Sequence, residues 1–170
     1  KVAAFEDTKS AQLGSYLPTD LEMDADETVT WVIDPEDYKA DVLFVFENGR
    51  VARVALSGYA TKTNRKRLKN AIYGGSKLMY ATVLKEEHDL ALVSSDYRLV
   101  NFNTSLLKTK TTNSTQGVQA LTIKGSRTVT MVGTAEEFIG GKAQVEKFRA
   151  EKLPSAGAPM KETDMKSLFD

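Results

Sequence analysis

The sequence contains no cysteine, a single histidine and no long apolar run. The absence of cysteine excludes disulfides, cysteine–zinc centres and thiol nucleophiles, and it agrees with a reducing cytosol. No stretch approaches the ~20 apolar residues that span a bilayer, so we expect no membrane insertion. The lone His88 lies in the charged run KEEHD, where a solvated turn residue is far more common than a catalytic one. Neither a P-loop nor a Gly-x-Ser-x-Gly motif occurs, and we expect no catalysis from this chain.

Acidic residues are missing from residues 49–85, although this stretch contains nine basic side chains. Residues 1–48 have the opposite composition, with 3 basic and 12 acidic side chains, whereas residues 49–134 carry 14 basic and 4 acidic ones. This separation predicts one acidic and one basic face. A basic face suits a polyanion, because phosphate contacts release condensed counterions. On charge alone, a solvated basic loop is the alternative.

The acidic residues are concentrated in residues 20–41, which we call the acidic segment. Asp24, Asp26 and Glu27 form a cluster there, but they lack the EF-hand spacing and its central glycine. We therefore interpret them as solvated charge rather than as a metal site. A further hypothesis is that the acidic segment competes with DNA for the basic face, in which case its deletion would tighten binding.

A repeat of about 48 residues organises the chain. Three segments share a basic residue followed by alternating apolar positions, at offsets of 49 and 48 residues: KVAAF (1–5), RVARV (50–54) and RLVNF (98–102). Each is followed by a polar loop and then by a β-branched or aromatic run: TVTWVI (28–33), LMYATVL (78–84) and TVTMV (128–132). The pair Asn48-Gly49 predicts a tight hairpin, because a type I′ turn needs positive φ at both central residues.

Each repeat predicts about four short strands, which is the size of one propeller blade. The predicted fold class is therefore all-β, a propeller-like array of about three four-stranded blades in units of residues 1–40, 41–88 and 89–134. One blade cannot bury its faces alone, so neighbouring blades must stack. Three blades would form an open arc, close through their first and last strands, or be completed by a second chain in a homodimer.

The C-terminal region has a different composition. Residues 135–150 place apolar residues at roughly helical spacing and predict a short helix, beginning near Lys142. Residues 151–170 contain Pro154 and Pro159 and predict a linker followed by a flexible tail. The chain starts with Lys1 rather than methionine, from which we expect a fragment of a longer protein.

The polar loops of the repeats are the candidate DNA-binding surface. The loop around RKRLK is free of acid, and the equivalent loop of the next repeat adds hydroxyl groups that donate to phosphates. Placed on one rim of stacked blades, such loops would form a curved basic track along which DNA bends. The predicted DNA-binding residues are Arg50, Arg53, Lys62, Arg65, Lys66, Arg67, Lys69, Lys77, Lys108, Lys110 and Gln116.

Four motifs carry a resemblance to a known family: DVLFVFENGRVARVALSGYATKTNR (41–65), the Gly74-Gly75 loop, DLALVSSDYRLVNFNTSLL (89–107) and NSTQGVQAL (113–121). Over residues 1–134, the sequence resembles the C-terminal domain of the A subunit of bacterial type IIA topoisomerases, DNA gyrase and topoisomerase IV. The resemblance implies a β-pinwheel that bends or partly wraps double-stranded DNA. It also implies a cytoplasmic, nucleoid-associated enzyme.

For the whole enzyme, the resemblance implies the remainder of the A subunit, an ATPase B subunit, ATP and magnesium. The fragment itself requires no cofactor, and none of its tyrosines inherits the catalytic role of the upstream domain. The stretch AIYGGSKL (71–78) keeps only the glycine pair and Lys77 of the family's gyrase box, and both arginines are missing. This departure favours topoisomerase IV-like bending over gyrase-like wrapping. The alternative is a propeller that binds another protein and not DNA.

Overall fold

The computed structural model describes residues 7–61, 67–139 and 142–164. Its strands are β1 (Asp41–Phe46), β2 (Arg50–Ala55), β3 (Leu78–Leu84), β4 (Asp89–Ser94), β5 (Arg98–Asn103), β6 (Val118–Gln119), β7 (Val129–Gly133) and β8 (Ala158–Pro159). The α-helices are α1 (Leu17–Asp20), α2 (Ala135–Phe138) and α3 (Lys142–Val145). Single 3₁₀ turns occupy Leu56–Tyr59, Thr104–Leu106, Glu146–Phe148 and Glu162–Asp164.

The strands form two antiparallel four-stranded sheets. The first sheet has the order β3-β1-β2-β6 and the second has the order β7-β4-β5-β8. The hairpin between β1 and β2 closes with a hydrogen bond from the Gly49 amide to the Phe46 carbonyl (2.9 Å), and Gly49 takes φ of 78°. Asn48 keeps negative φ, so the predicted hairpin forms with a single left-handed residue rather than the type I′ turn.

Each sheet takes its fourth strand from the chain that follows its own repeat unit. β6 pairs with β2 at Val118 and Gln119, and β8 pairs with β5 at Ala158 and Pro159. An arginine at the start of the receiving strand stabilises each junction. Arg50 donates to the carbonyl of Gly117 (3.4 Å) and Arg98 donates to the carbonyl of Gly157 (2.6 Å).

The main core lies between the two sheets. Leu43, Val45 and Val51 from the first sheet belong to the same buried cluster as Leu92 and Phe102 from the second. A second cluster covers the other face of the second sheet with residues from the two C-terminal helices and the turn after them. A third lies on the outer face of the first sheet, against parts of the acidic segment and the loop before β3. Both faces of both sheets are therefore apolar.

The number of blades and the ends of the array differ from the sequence prediction. The described residues form two four-stranded sheets, whereas the sequence predicted about three blades. Residues 28–33, predicted as a strand, have no regular structure, and no described strand pairs with them. The predicted first strand, residues 1–5, lies outside the described residues. Residues 135–150 form short helices and a 3₁₀ turn instead of one helix.

The predicted linker and tail also contain regular structure. β8 lies within residues 151–170 and completes the second sheet, and the Ser155 amide donates to the Ala120 carbonyl (3.0 Å). Met160 is buried in the second core cluster. The segment is ordered because β5 has an apolar face that would otherwise be exposed to water. Ala158 and Met160 of the proline-containing segment pack on that face. Residues 165–170, the end of the predicted tail, lie outside the described residues.

Gly117→Ala tests the junction between β2 and β6. Gly117 has φ of 67°, and an added Cβ would lie 2.0 Å from the carbonyl oxygen of Val51. We expect the substitution to lower the free energy of unfolding by about 2 kcal/mol or more, from left-handed strain and a backbone clash. Urea unfolding followed by circular dichroism measures the change. Gly74→Ala is the matched control because nothing lies within 4 Å of its added Cβ; equal stability of the two variants would contradict the assigned junction.

Candidate nucleic-acid interface

One edge of β2 collects several of the predicted DNA-binding residues. The Lys110 amide donates to the Arg53 carbonyl (2.8 Å), and the Ala55 amide donates to the Lys110 carbonyl (2.9 Å). This short parallel bridge fixes the backbone of the loop that leads into β6. We call the resulting patch the β2-edge surface; it comprises Arg50, Lys108, Lys110 and Gln116. Lys108, Lys110 and Gln116 are exposed, and Arg50 is half-buried.

The loop that carries the β2-edge surface is fixed at further points. Asn113 donates from its side-chain amide to the Gly58 carbonyl (3.1 Å), and the Gly117 amide donates to the Thr115 hydroxyl (3.3 Å). Lys108 and Lys110 make no ion pair with any described residue. Their ammonium groups therefore have no ion-pair partner among the described residues, although the Thr109 hydroxyl between them donates to Asp41 Oδ2 (2.7 Å). Unpaired lysines on a positioned backbone suit contacts with phosphates.

Arg53 is placed differently, inside an ion-pair network. Its Nε lies 2.6 Å from Asp41 Oδ2 and its Nη1 lies 2.7 Å from Glu87 Oε1, while only 18% of the side chain is exposed. Burial alone would lower the pKa of Arg53, but the hydrogen bonds to the two carboxylates outweigh it and raise the pKa. The guanidinium joins the start of β1 to the turn before β4, so its contacts are structural.

The remaining predicted residues that the structure describes lie on other segments of the chain. Lys77 is exposed beside the first hairpin, where its carbonyl accepts from the Glu47 amide (2.9 Å), and Lys69 is exposed in the loop before β3. Arg67 contacts the carboxylates of Asp24 and Glu27. Three predicted residues lie outside the described residues: Lys62, Arg65 and Lys66.

Two further basic residues, Lys124 and Arg127, lie beside the seam between the sheets. Arg127 lines an open groove of about 370 Å³ together with Asn48, Ser76 and Gln119, and it pairs with Asp96 at 3.2 Å. Sequence reasoning missed both. The repeat could have identified them, because the loop before β7 is equivalent to the loop before β3 in the previous repeat. That earlier loop carries Lys77, which is one of the predicted DNA-binding residues.

No candidate metal site occurs among the described residues, and His88 and Tyr59 make local contacts with backbone carbonyls. No group of three or more His, Asp or Glu side chains is placed to hold a metal ion in the described ranges. His88 lies 3.1 Å from the Glu86 carbonyl through Nδ1, within a turn. Tyr59 donates to the Ala71 carbonyl (2.6 Å), and burial raises its pKa to about 12, so its hydroxyl stays protonated. Within the described part of the chain, no helix has the length and apolar character that a membrane crossing requires.

Comparison with known proteins identifies the fold. No family model matches the chain, and no curated protein matches it. Among solved structures, the crystal structure of the C-terminal domain of DNA topoisomerase IV superimposes with a TM-score of 0.68 at 20% identity, covering 81% of this chain and 44% of that one. The C-terminal domain of E. coli ParC gives a TM-score of 0.71 at 15% identity, covering 91% and 69%. The C-terminal domain of DNA gyrase A gives 0.51 at 15% identity, covering 75% and 47%.

The chain therefore has a β-pinwheel fold, as the sequence predicted. It shares this fold with the C-terminal domains of DNA topoisomerase IV and DNA gyrase A. It spans less than half of the solved topoisomerase IV and gyrase A domains named first and last above, at 44% and 47% of their lengths.

Arg53→Met tests the structural assignment of Arg53. The substitution leaves Asp41 partly buried without its cation, so we expect the free energy of unfolding to fall by roughly 2 kcal/mol. Lys108→Met is the control, because an exposed lysine without an ion pair should change stability by no more than about 0.5 kcal/mol. Urea unfolding of both variants provides the comparison. An Arg53→Met protein as stable as the parent would show that the network contributes nothing.

The titration of Glu87 provides a second test. A hydrogen bond from the Thr104 hydroxyl (2.7 Å), followed by the contact with Arg53, lowers the pKa of Glu87 below its ordinary value of 4.5. The stabilisation is complete above pH 4.5 and is lost as the pH falls through the lower folded-state pKa. We expect Thr104→Val to raise the Glu87 pKa toward 4.5 in an NMR titration. Thr112→Val should not move it; equal titration curves for all three proteins would exclude the Thr104 contact.

Proposed function

We propose that this chain is a DNA-binding module of a type IIA topoisomerase A subunit, which bends double-stranded DNA or wraps it in part. The β2-edge surface is the observation that carries the proposal. It presents Lys108 and Lys110, without internal counter-charges among the described residues, from a backbone that β2 holds in place. Positioned cations of this kind bind phosphates irrespective of base sequence.

The shared fold supports the same proposal. The pinwheel of this chain is similar to domains that belong to DNA topoisomerase IV and to DNA gyrase A. A DNA topoisomerase must hold DNA segments, and a basic edge on a rigid sheet supplies sequence-independent contacts for this purpose. In the parent enzyme, the chain would work with the rest of the A subunit and an ATPase B subunit, and ATP and magnesium would belong to those other parts.

Within this class, we favour bending of the topoisomerase IV type over complete gyrase-type wrapping. The stretch at 71–78 lacks both arginines of the gyrase box, although it keeps Gly74, Gly75 and Lys77. The two described sheets also offer DNA only a short binding path. Because smooth bending of DNA over a short length costs elastic energy, complete wrapping is disfavoured. Bending would bring the two ends of the duplex closer together. Energy transfer between fluorophores attached to the two ends measures this change in distance.

Lys108→Glu/Lys110→Glu tests the DNA-binding surface. We expect the parent to bind a linear duplex of about 40 base pairs with an affinity that falls steeply between 50 and 200 mM salt. The double variant should bind ~10-fold more weakly, and the slope of log affinity against log salt should decrease by ~2, because two phosphate contacts are lost.

Lys9→Glu/Lys161→Glu is the matched control. It makes the same change in net charge, but Lys9 precedes the acidic segment and Lys161 follows β8 of the second sheet, so neither belongs to the β2-edge surface. Binding by the parent that is independent of salt would refute the proposal. A control that weakens binding as much as the Lys108/Lys110 variant would show that only net charge matters.

Binding of a partner protein is the second candidate function. One observation favours it: Val29, Trp31 and Val32 are 45%, 41% and 84% exposed at one end of the array. Exposed apolar residues in contiguous positions are typical of protein contacts. Absence of DNA binding at 50 mM salt, together with a defined oligomer in sedimentation, would favour this function over the first.

A further inference from the structure

The acidic segment lies against basic residues of the proposed DNA-binding domain. Arg67, one of the predicted DNA-binding residues, contacts two carboxylates, with Nη1 at 3.3 Å from Asp24 Oδ2 and Nη2 paired with Glu27. Farther along, Lys85 lies 2.5 Å from Glu36 through Nζ and Oε1. The contacts join positions 40 and more residues apart in sequence. Residues 20–41 contain nine carboxylates and one lysine, so the segment is itself a polyanion.

Backbone hydrogen bonds hold the acidic segment only at its end, where the Leu56 amide donates to the Ala40 carbonyl (3.0 Å) and Asp41 begins β1; side chains hold the part before it. Among the described residues, 28–34 form no backbone hydrogen bond with either sheet. Trp31 packs edge-on against Tyr80 of β3, with ring centroids 5.5 Å apart, and Ile33 packs on the outer face of the first sheet. An open groove of about 460 Å³ lies between this part of the segment and the first sheet, and Trp31 and Phe44 are among the residues that line it. A segment that lacks a backbone ladder and packs incompletely is expected to open at low free-energy cost.

The ion pairs are exposed and therefore weak. The side chains of Arg67 and Glu27 are 46% and 44% exposed, and those of Lys85 and Glu36 are 65% and 59% exposed. Pairs of this kind contribute little individually in water and are screened by salt. A DNA backbone presents many phosphates at close spacing, so it can replace the few carboxylates that contact Arg67.

We propose that residues 20–36 of the acidic segment are an intramolecular competitor of DNA: they pair with Arg67 and Lys85 in the free protein and are displaced when a duplex binds. The inference rests on the DNA-binding function proposed above and adds a regulation at basic residues outside the β2-edge surface. The competitor lowers affinity for short or weakly charged ligands, and a long duplex overcomes it. Regulation of this type sets the length and charge that a ligand needs for binding, and it leaves the β2-edge surface unchanged.

Neutralising the contacting carboxylates tests the proposal. We expect Asp24→Asn/Glu27→Gln/Glu36→Gln to bind the 40-base-pair duplex roughly 3- to 10-fold more tightly than the parent at low salt, since the DNA no longer competes with three exposed pairs. Asp7→Asn/Asp20→Asn/Asp26→Asn is the matched control. These three aspartates make no ion pair with a described residue, and their replacement changes the net charge by the same amount.

The fluorescence of Trp31 provides a second measurement. Trp31 is the single tryptophan of the chain and lies in the acidic segment, so no tryptophan has to be introduced or removed. We expect its emission to shift to longer wavelength when the duplex is added to the parent, as the indole leaves Tyr80 for water. The contact-neutralised variant should show part of this shift without DNA. Addition of the mononucleotide dAMP instead of duplex should leave the emission unchanged.

The outcomes separate the regulation from the function. Tighter binding by the contact variant alone, together with the Trp31 shift, supports the proposal. Equal increases in DNA affinity for both triple variants would show that only net charge matters. An unchanged Trp31 emission spectrum at saturating duplex would show that the segment stays in place. Either result overturns the competitor and leaves DNA binding intact. Failure of all proteins to bind duplex at 50 mM salt would overturn the DNA-binding function and the competitor together.

Discussion

Each sheet of this protein is apolar on both faces, and this requirement for cover determines the arrangement of everything else. β1 directs Leu43 and Val45 toward the second sheet and Phe44 toward the opposite side, and all three are buried. Neither sheet is stable in water with one face bare, because burial of apolar area is the main favourable term in folding. The sheets cover one another, the C-terminal helices cover the second sheet, and part of the acidic segment covers the first. The hydrophobic requirement thus brings carboxylates beside a basic loop.

The two outer covers differ in how they are held. The C-terminal cover is joined to the sheets by backbone hydrogen bonds, including those of β8 and the bond from the Thr122 amide to the Ser155 carbonyl (2.8 Å), and it buries Ile139 and Phe148. The acidic segment contributes half-buried side chains and exposed ion pairs. Local opening should therefore be much easier at the acidic segment, because buried apolar contacts and backbone ladders determine the free energy of opening. Backbone hydrogen bonds thus hold one end of the array, whereas side-chain contacts hold most of the other.

The strands in the middle of the array were predictable from the sequence, and the elements at its ends were not. The hairpins β1–β2 and β4–β5 carry their own turn signals and repeat at 48 residues, so local chemistry defines them. β6 and β8 have only two residues each and no pattern of their own; the exposed edges of β2 and β5 define them. Residues 28–33 have a strand-like pattern, but β3 and β7 pair with β1 and β4, and no described strand offers 28–33 such a partner. Long-range pairing therefore produced β6 and β8 where the local sequence has no strand pattern. Its absence left residues 28–33 irregular although their pattern is strand-like.

The same long-range effect divides the basic residues that the sequence grouped together. Arg53 pairs with carboxylates 12 and 34 residues away and is neutralised inside the fold, whereas Arg67 pairs with carboxylates 43 and 40 residues away on the acidic segment. Lys108 and Lys110 have no such partner among the described residues. A cation that is already paired must lose that pair before it gains a phosphate, so its net contribution to DNA affinity is the difference between two interactions. Under the proposed DNA-binding function, the charge of the basic region therefore overstates its affinity for DNA, and Lys108 and Lys110 should contribute more per residue than Arg53 or Arg67.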